Sequence, residues 1–249
     1  ARLNGKWDII LPEHRAGSQL AAAPAPAPRA TMPTGASTNT ESDGIFGWYR
    51  YIQDFTGDFA LTWLRSIAQQ GELVWEPFAG SGTTLVAAKM LGLDSIGYDL
   101  NPFMVDVARV KVDWTLSPAE LQEGLDRVLL GLSSSRESEP VTAIKGGWKE
   151  YDEDGAAEAA VYPADKKLQR WISPVVLTRF QGLLKAIEGA PPTTQPFLQL
   201  AAASTIIPAS NMAFRPNICY EGKPTLDYPV VAAFEDRATQ MIKDYEAVA

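Results

Sequence analysis

Apolar residues near the start of the central region recur at helical spacing. Over residues 58–70 the side chains of Phe59, Trp63 and Ile67 return at every fourth position, which predicts an amphipathic helix. Gly71 follows this stretch and is a natural stop signal for a helix.

The next segments alternate between strand and helix patterns. A short apolar run at 73–75, bounded by glycine and proline, predicts a buried strand. A helix over 85–91 and a second strand over 95–98 follow it. This order predicts an α/β fold class in which the two strands are parallel.

A further helix is predicted directly after the second strand. Asn101 has the side chain of an N-cap residue, and Pro102 suits the first helical position. Within this helix Phe103, Val107 and Val110 are predicted to share one apolar face.

The two ends of the chain have a different character from the middle. Residues 1–44 include an Ala/Pro-rich stretch at 21–28 and are predicted to lie mostly outside the core, as a flexible segment. Within them, residues 7–11 (WDIIL) are apolar enough to dock on another surface, and Met32 is a plausible internal start.

Residues 117–249 are predicted to be mainly helical, after a core over 45–116. A polar stretch at 133–167 interrupts them and is expected to form loops. The predicted helices span residues 119–132, 174–188, 196–207 and 233–249.

Composition restricts the chemistry further. The hydrophobic fraction of 46% and charged fraction of 21% are typical of a soluble globular protein. No apolar run approaches the roughly 20 residues of a membrane span, so we expect no membrane partner and a cytoplasmic location. A single cysteine, Cys219, excludes an intrachain disulfide, and the only histidine, His14, lies in the low-complexity segment. The acidic run at 150–154 is interpreted as a solvated loop, and no metal site is predicted.

The segment at 76–84, EPFAGSGTT, carries the candidate chemistry. Gly80 and Gly82 lack a Cβ, so a ligand can approach the backbone of this turn closely. The turn follows the first strand and opens a helix, and ligands bind at that edge of open α/β sheets. Asp99 lies 17 residues after Gly82, at the end of the second strand, where a carboxylate can accept the hydroxyl hydrogens of a ribose.

The details of the turn favour one adenosine ligand over two others. The third glycine of a dinucleotide fingerprint is replaced by Leu85, and the lysine of an ATP-binding phosphate loop is absent after Gly82. S-adenosylmethionine (SAM) needs no pyrophosphate cradle, and the Glu76 carboxylate suits its ammonium group.

Residues 76–111 closely resemble motifs I and II of the DNA amino-methyltransferases, which methylate adenine N6 or cytosine N4. The family usually has aspartate where this chain has Glu76, and DFTGDF at 54–59 resembles the family's motif X. The resemblance covers residues 46–112 strongly. It implies SAM as cofactor, DNA as partner and a Rossmann-like methyltransferase sheet with a mainly helical insert. The SAM-binding residues it implies are Phe55, Thr56, Gly57, Glu76, Pro77, Phe78, Ala79, Gly80, Ser81, Gly82, Thr83, Thr84, Asp99, Leu100 and Asn101.

The family's catalytic motif, Asp/Asn/Ser-Pro-Pro-aromatic, is not found in the sequence. Pro191-Pro192 is followed by Thr193, and Ser117-Pro118 is followed by no aromatic residue. Cys219 follows isoleucine rather than the proline of a C5-cytosine enzyme. We therefore assign no catalytic residue and expect this motif on a C-terminal segment or a second polypeptide that completes the sheet. A degenerate, non-catalytic enzyme is the alternative.

Charge and aromatic content leave further readings open. The net charge of −8 is unlike that of a self-sufficient DNA binder, so a basic surface is expected on the missing half. The competing functions are an RNA or small-molecule methyltransferase and a SAM-binding subunit without activity.

The aromatic cluster Trp48, Tyr49, Tyr51 and Phe55 is interpreted as core rather than a base-stacking platform. Arg215 is interpreted as a surface residue rather than a phosphate contact.

Overall fold

A computed structural model of the chain describes residues 8–10, 43–135, 171–214, 218–220, 225 and 227–248. The run at 150–154, His14 and Arg215 lie outside these residues, as does most of the polar stretch at 133–167.

The chain divides into two compact units. The first contains Ala1–Pro118 together with Met241–Ala249, and the second contains Ala119–Gln240. The candidate turn and Asp99 both belong to the first unit.

Three strands form the sheet of the first unit: β1 (Asp8–Ile10), β2 (Leu73–Glu76) and β3 (Asp94–Asp99). Their order is β1-β3-β2, so β3 is central among the described strands. β2 and β3 are parallel and pair from Leu73 with Asp94 to Glu76 with Gly97. The parallel strand pair and its surrounding helices confirm the predicted α/β class.

β1 lies inside the segment that was predicted to be mostly outside the core. It pairs antiparallel with β3, and Asp8 lies opposite Asp99 while Ile10 lies opposite Gly97. The apolar stretch at 7–11 thus contributes backbone to the sheet, next to the strand end that carries Asp99.

Four helical segments accompany this sheet. They are a 3-10 helix (Gly44–Trp48), α1 (Gly57–Ile67), α2 (Thr83–Met90) and α3 (Pro102–Val112).

The start of α3 matches the prediction, but its buried face does not. The Asn101 side chain accepts a hydrogen bond from the Phe103 backbone N–H, and Pro102 takes the first turn. Val107 is buried as predicted, whereas Phe103 is 39% exposed. The buried face of α3 instead includes Met104, Val105, Ala108, Lys111 and Val112.

α1 forms where the periodicity predicts it but ends three residues early, at Ile67. Its core-facing residues are Ala60 and Leu64, while Phe59 and Trp63 are half-buried. Ile67 is 43% exposed. The apolar row of this helix therefore lines an open groove instead of the core.

β2 exists as predicted, but the prediction that it is buried is wrong. Leu73 is 43% exposed and Trp75 is 67% exposed. The reason is topological, because β2 is the outer strand of the described sheet and pairs only with β3 there.

The second unit is mainly helical. Its helix Pro174–Glu188 has the predicted bounds. The predicted helix at 196–207 is divided at Thr205, and the last helix begins three residues before its predicted start. Met212–Phe214 and Ile218–Tyr220 form a short antiparallel pair. The elements are α4 (Pro118–Ser135), α5 (Pro174–Glu188), α6 (Gln195–Ser204), α7 (Ile206–Ala209), β4 (Met212–Phe214), β5 (Ile218–Tyr220) and α8 (Val230–Glu246). The last residues of α8, from Met241 onward, belong to the first unit.

Two contacts join separate segments within the described part of this unit. Gly124 on α4 lies so close to Thr194 that a Cβ there would be 2.6 Å from the threonine Oγ1. Arg179 on α5 forms an ion pair with Asp227 and donates to the Tyr228 carbonyl at 2.8 Å. Within the described ranges, no helix is long and apolar enough to cross a membrane.

Candidate functional site

The glycine-rich turn connects the end of β2 to the start of α2. The Ala79 N–H donates to the Tyr98 carbonyl on β3 at 2.8 Å, and the Gly82 N–H donates to the Ala79 carbonyl at 2.8 Å. These two bonds hold the turn against the carboxyl end of the parallel strand pair, which is the edge where open α/β sheets bind ligands.

Two residues of the turn have left-handed backbone conformations. Gly80 has φ of +51° and Gly82 has φ of +86°. A Cβ on Gly82 would lie 2.7 Å from the Ala108 Cβ, so α3 approaches the turn too closely for any other residue. A Cβ on Gly80 would have only ring carbons of Tyr51 near it, at 3.7 and 3.9 Å, so the site is less crowded there than at Gly82.

Asp99, at the end of β3, contacts the turn through its carboxylate. One carboxylate oxygen accepts from the Gly80 N–H at 2.8 Å, and the other accepts from the Asn101 N–H at 2.8 Å. A carboxylate has about four acceptor positions, so each oxygen keeps room for a further donor. The structure thus brings together Asp99 and Gly80, which are 19 residues apart in the sequence.

Glu76, at the first position of the turn, also accepts two hydrogen bonds through its carboxylate. Its carboxylate accepts from the Phe78 N–H at 3.1 Å and from the Thr84 hydroxyl at 3.0 Å. Phe78 itself is 75% exposed and extends from the turn without shielding it.

A buried polar cluster lies beneath the turn. The Ser81 hydroxyl donates to the Asp54 carboxylate and accepts from the Lys111 ammonium at 3.2 Å. The same ammonium donates to the Phe46 carbonyl at 3.0 Å. Ser81 and Lys111 are both fully buried.

The predicted residues Phe55–Gly57 lie where the chain enters α1. Thr56 caps the helix by accepting from the Phe59 N–H at 3.3 Å. Gly57 is buried against Phe46, and a Cβ there would be 2.3 Å from the phenylalanine ring. This close approach explains why glycine is required at that position.

The members of the aromatic cluster differ in burial. Trp48 is fully buried, stacks on Tyr245 at 6.4 Å and donates through Nε1 to Asp244 at 3.1 Å. Its interpretation as core is confirmed. Tyr49 packs edge-on against Phe103 at 5.1 Å. Burial raises the pKa of the Tyr49 hydroxyl, with a smaller contribution from Tyr51, so this hydroxyl stays protonated at neutral pH.

The remaining predicted residues surround the turn. Thr83 begins α2 and is buried, while Leu100 is 60% exposed between Asp99 and the α3 cap. Pro77 is half-buried beside Glu76. Among the described residues, no group of three or more histidine, cysteine, aspartate or glutamate side chains could hold a metal ion.

Two residues of the cluster beneath the turn were missed by the sequence analysis. Asp54 stands in the DFTGDF segment but was not singled out. Lys111 follows Val107 by one helical turn, so a signal was present: it is a lysine on the apolar face of α3. Reading that face from Met104 instead of Phe103 would have found it.

The parallel strands, the glycine-rich turn and the carboxylate that meets it define a class of protein. This is the arrangement of α/β units that bind ligands at the carboxyl edge of the sheet, beside a helix N-terminus.

Comparisons with known proteins narrow this class. Residues 39–110 match a family model described as DNA methylase, of the N6/N4 type. This match confirms that the motifs of the stretch resemble those of the DNA amino-methyltransferases.

Two curated relatives also match a part of this chain. The type II methyltransferase M.BsoBI of Geobacillus stearothermophilus is 36% identical over 63 residues, which are 25% of this chain and 12% of the relative. The type II methyltransferase M.MjaII of Methanocaldococcus jannaschii is 35% identical over 68 residues, 27% of this chain and 13% of the relative. The matched stretch therefore spans only about an eighth of either relative. No solved structure gives a significant match.

Proposed function

We propose that this chain is the SAM-binding part of a DNA methyltransferase that modifies an exocyclic amine, adenine N6 or cytosine N4. The observation that carries the proposal is the hydrogen bond between Asp99 and the Gly80 N–H, which joins the turn and the acid in one site. Because both matched relatives bear type II methyltransferase names, we place the activity in restriction-modification or phage defence.

The residues of the site fit SAM better than a phosphate-bearing cofactor. Among residues 76–101 the only basic side chain is Lys89, and the Lys111 ammonium that contacts Ser81 is fully buried beneath the turn. The Lys89 ammonium donates to the Val112 carbonyl at 2.7 Å and lies 5.0 Å from the Trp114 ring, so it is directed away from the turn. The turn instead has a carboxylate at each end, which suits hydroxyl donors and a cationic ligand.

In this proposal the chain binds and orients SAM, and SAM supplies the methyl group. Asp99 would accept the ribose hydroxyls with the acceptor positions that Gly80 and Asn101 leave open. Glu76 would pair with the ammonium of the methionine end, near the segment Phe55–Gly57. Gly80 is half-buried but lacks a Cβ, which permits close approach to its backbone. Its neighbours complete the proposed pocket: Pro77, Phe78, Ala79, Ser81, Gly82, Thr83, Thr84 and Leu100.

The groups that hold the target base are proposed to come from chain outside this sequence. No Asp/Asn/Ser-Pro-Pro-aromatic motif occurs in the 249 residues, and the net charge is −8. About seven-eighths of each matched relative lies beyond the matched stretch. We propose that a C-terminal segment or a second polypeptide supplies both the motif and the basic surface that contacts DNA.

The outer edge of β2 is the proposed docking place for a strand of that segment. Beside it α1 and β2 form an apolar groove of about 390 Å³, lined by residues that include Phe59, Trp63, Leu73 and Trp75. Glu76 and Thr84 line the same groove, so a strand seated there would lie beside the turn. An open strand edge with exposed apolar side chains favours strand addition.

Trp75→Lys is expected to weaken assembly while leaving this chain folded. Because Trp75 is 67% exposed, its loss should change the unfolding free energy by less than about 1 kcal/mol. Its loss from a buried interface should reduce affinity for the completing polypeptide by about 10-fold or more. Leu130→Lys is the matched control, because Leu130 is 69% exposed and lies in the second unit. Equal affinities for the two variants in a titration would exclude this edge as the docking place.

The proposed function is tested in two stages. Calorimetry should find saturable binding of SAM to the 249-residue chain, with no competition from NAD or ATP. The completed enzyme should then transfer a labelled methyl group from SAM to DNA, and the product base should carry it on an exocyclic amine. Absence of SAM binding would contradict the proposed site.

The choice of acceptor distinguishes the competing functions. DNA, RNA and free nucleosides are offered in parallel to the completed enzyme. Transfer to RNA or nucleosides alone would indicate another methyltransferase on the same scaffold. SAM binding without transfer to any acceptor would indicate a non-catalytic subunit.

A further inference from the structure

Lys111 is a buried cation that the proposed function does not use. Its side chain is fully buried on α3, between the apolar residues Val107, Ala108 and Val112. An ammonium group removed from water is strongly destabilising unless hydrogen bonds compensate it. The partners of this ammonium therefore determine why a lysine is tolerated there.

These partners belong to separate segments of the first unit. The ammonium donates to the carbonyl of Phe46 in the 3-10 helix and to the Ser81 hydroxyl in the turn. Ser81 in turn donates to Asp54, in the loop before α1. One buried group thus links α3, the 3-10 helix, the DFTGDF segment and the glycine-rich turn.

Ser81 stands between the two glycines that have positive φ, Gly80 and Gly82. A glycine residue restricts the backbone conformation only weakly. The conformation of this turn therefore depends on the contacts that Ser81 makes. We infer that Lys111 is the positioning residue of the turn: through Ser81 it holds the Gly80 backbone where Asp99 meets it. The consequence for SAM rests on the proposed function.

Lys111→Met tests the inference, because methionine keeps an unbranched side chain and removes the ammonium. In the full 249-residue chain without ligand, amide hydrogen exchange across residues 78–84 should accelerate by about 10-fold or more. SAM should bind about 10-fold or more weakly. Lys89→Met is the matched control, since Lys89 also donates to a backbone carbonyl, that of Val112, but does not touch the turn.

Ser81→Ala covers the case in which Lys111→Met fails to fold, because it breaks the link and keeps the bond from Lys111 to Phe46. It should also accelerate exchange in the turn. Where both single variants fold, the double variant should lose less than the sum of the two single losses, because both changes remove the same Lys111–Ser81 bond.

The two readouts separate this inference from the proposed function. Turn exchange that is unchanged in Lys111→Met and Ser81→Ala, or accelerated equally in Lys89→Met, overturns the inference. Accelerated exchange in a chain whose wild type binds no SAM upholds the positioning role and contradicts the proposed ligand. An unchanged SAM affinity despite faster exchange would overturn the link between turn order and binding.

Discussion

Replacing Asp99 with alanine is expected to lower SAM affinity by about 100-fold or more. Two charge-assisted hydrogen bonds to a ligand are each worth about 1.5–3 kcal/mol, and a factor of ten corresponds to about 1.4 kcal/mol. The same substitution frees the Gly80 and Asn101 N–H groups, which the carboxylate now holds at 2.8 Å. The turn should therefore lose its ribose acceptor and one of its bonds to β3, while the bond from the Ala79 N–H to the Tyr98 carbonyl remains.

The size of this effect is measured by calorimetric titration with SAM, alongside urea unfolding. Asp99→Asn keeps one oxygen acceptor and should retain part of the affinity. Asp94→Ala is the matched control, since Asp94 lies exposed at the other end of β3 and loses the same charge. An Asp99→Ala affinity within about threefold of wild type, a difference well under 1 kcal/mol, would show that the ribose is held elsewhere.

The second large effect is expected at Gly82, where alanine should both destabilise the first unit and abolish SAM binding. A left-handed conformation costs a non-glycine residue about 1–2 kcal/mol. Crowding of a packed interior adds about 1–3 kcal/mol, and here a Cβ would lie 2.7 Å from the Ala108 Cβ. Relief of this clash requires α2 and α3 to separate, which displaces the turn.

Gly71→Ala is the control that separates the cost of the left-handed backbone from the cost of the clash with Ala108. Gly71 has the same φ of +86°, but nothing lies within 4 Å of a Cβ there. Its unfolding free energy should therefore fall only by the cost of the backbone conformation. If urea unfolding shows equal losses for Gly71→Ala and Gly82→Ala, the packing of α3 against the turn does not limit the site.

Features that depend on neighbouring residues could be predicted from the sequence. The bounds of α5, Pro174–Glu188, follow from a capping serine, a first-turn proline and helical spacing. The Asn101 cap and the parallel β2–β3 pair have similar local signals. Even the meeting of Asp99 with the turn is predictable, because the carboxyl ends of adjacent parallel strands lie at one edge.

Features that depend on distant residues could not be predicted. The face of α3 was assigned from Phe103, although helical spacing from Met104 fits equally well, and only packing selects between two adjacent rows. Trp48 is joined to Asp244 across 196 residues, which no local pattern indicates. The short antiparallel strand Asp8–Ile10 likewise pairs with a strand far along the chain.

Local backbone preferences and helix caps act within a few residues. The order strand–turn–helix, with two glycines in the turn and Asp99 after the second strand, could therefore be predicted without the structure. The amino-acid sequence by itself also determined that no Pro-Pro-aromatic motif stands in these 249 residues. The tertiary structure alone decided that Trp75 is exposed at an open strand edge and that Lys111 lies buried beneath Ser81. Both depend on which surfaces meet when distant segments pack, and that choice is made by the sum of many weak contacts.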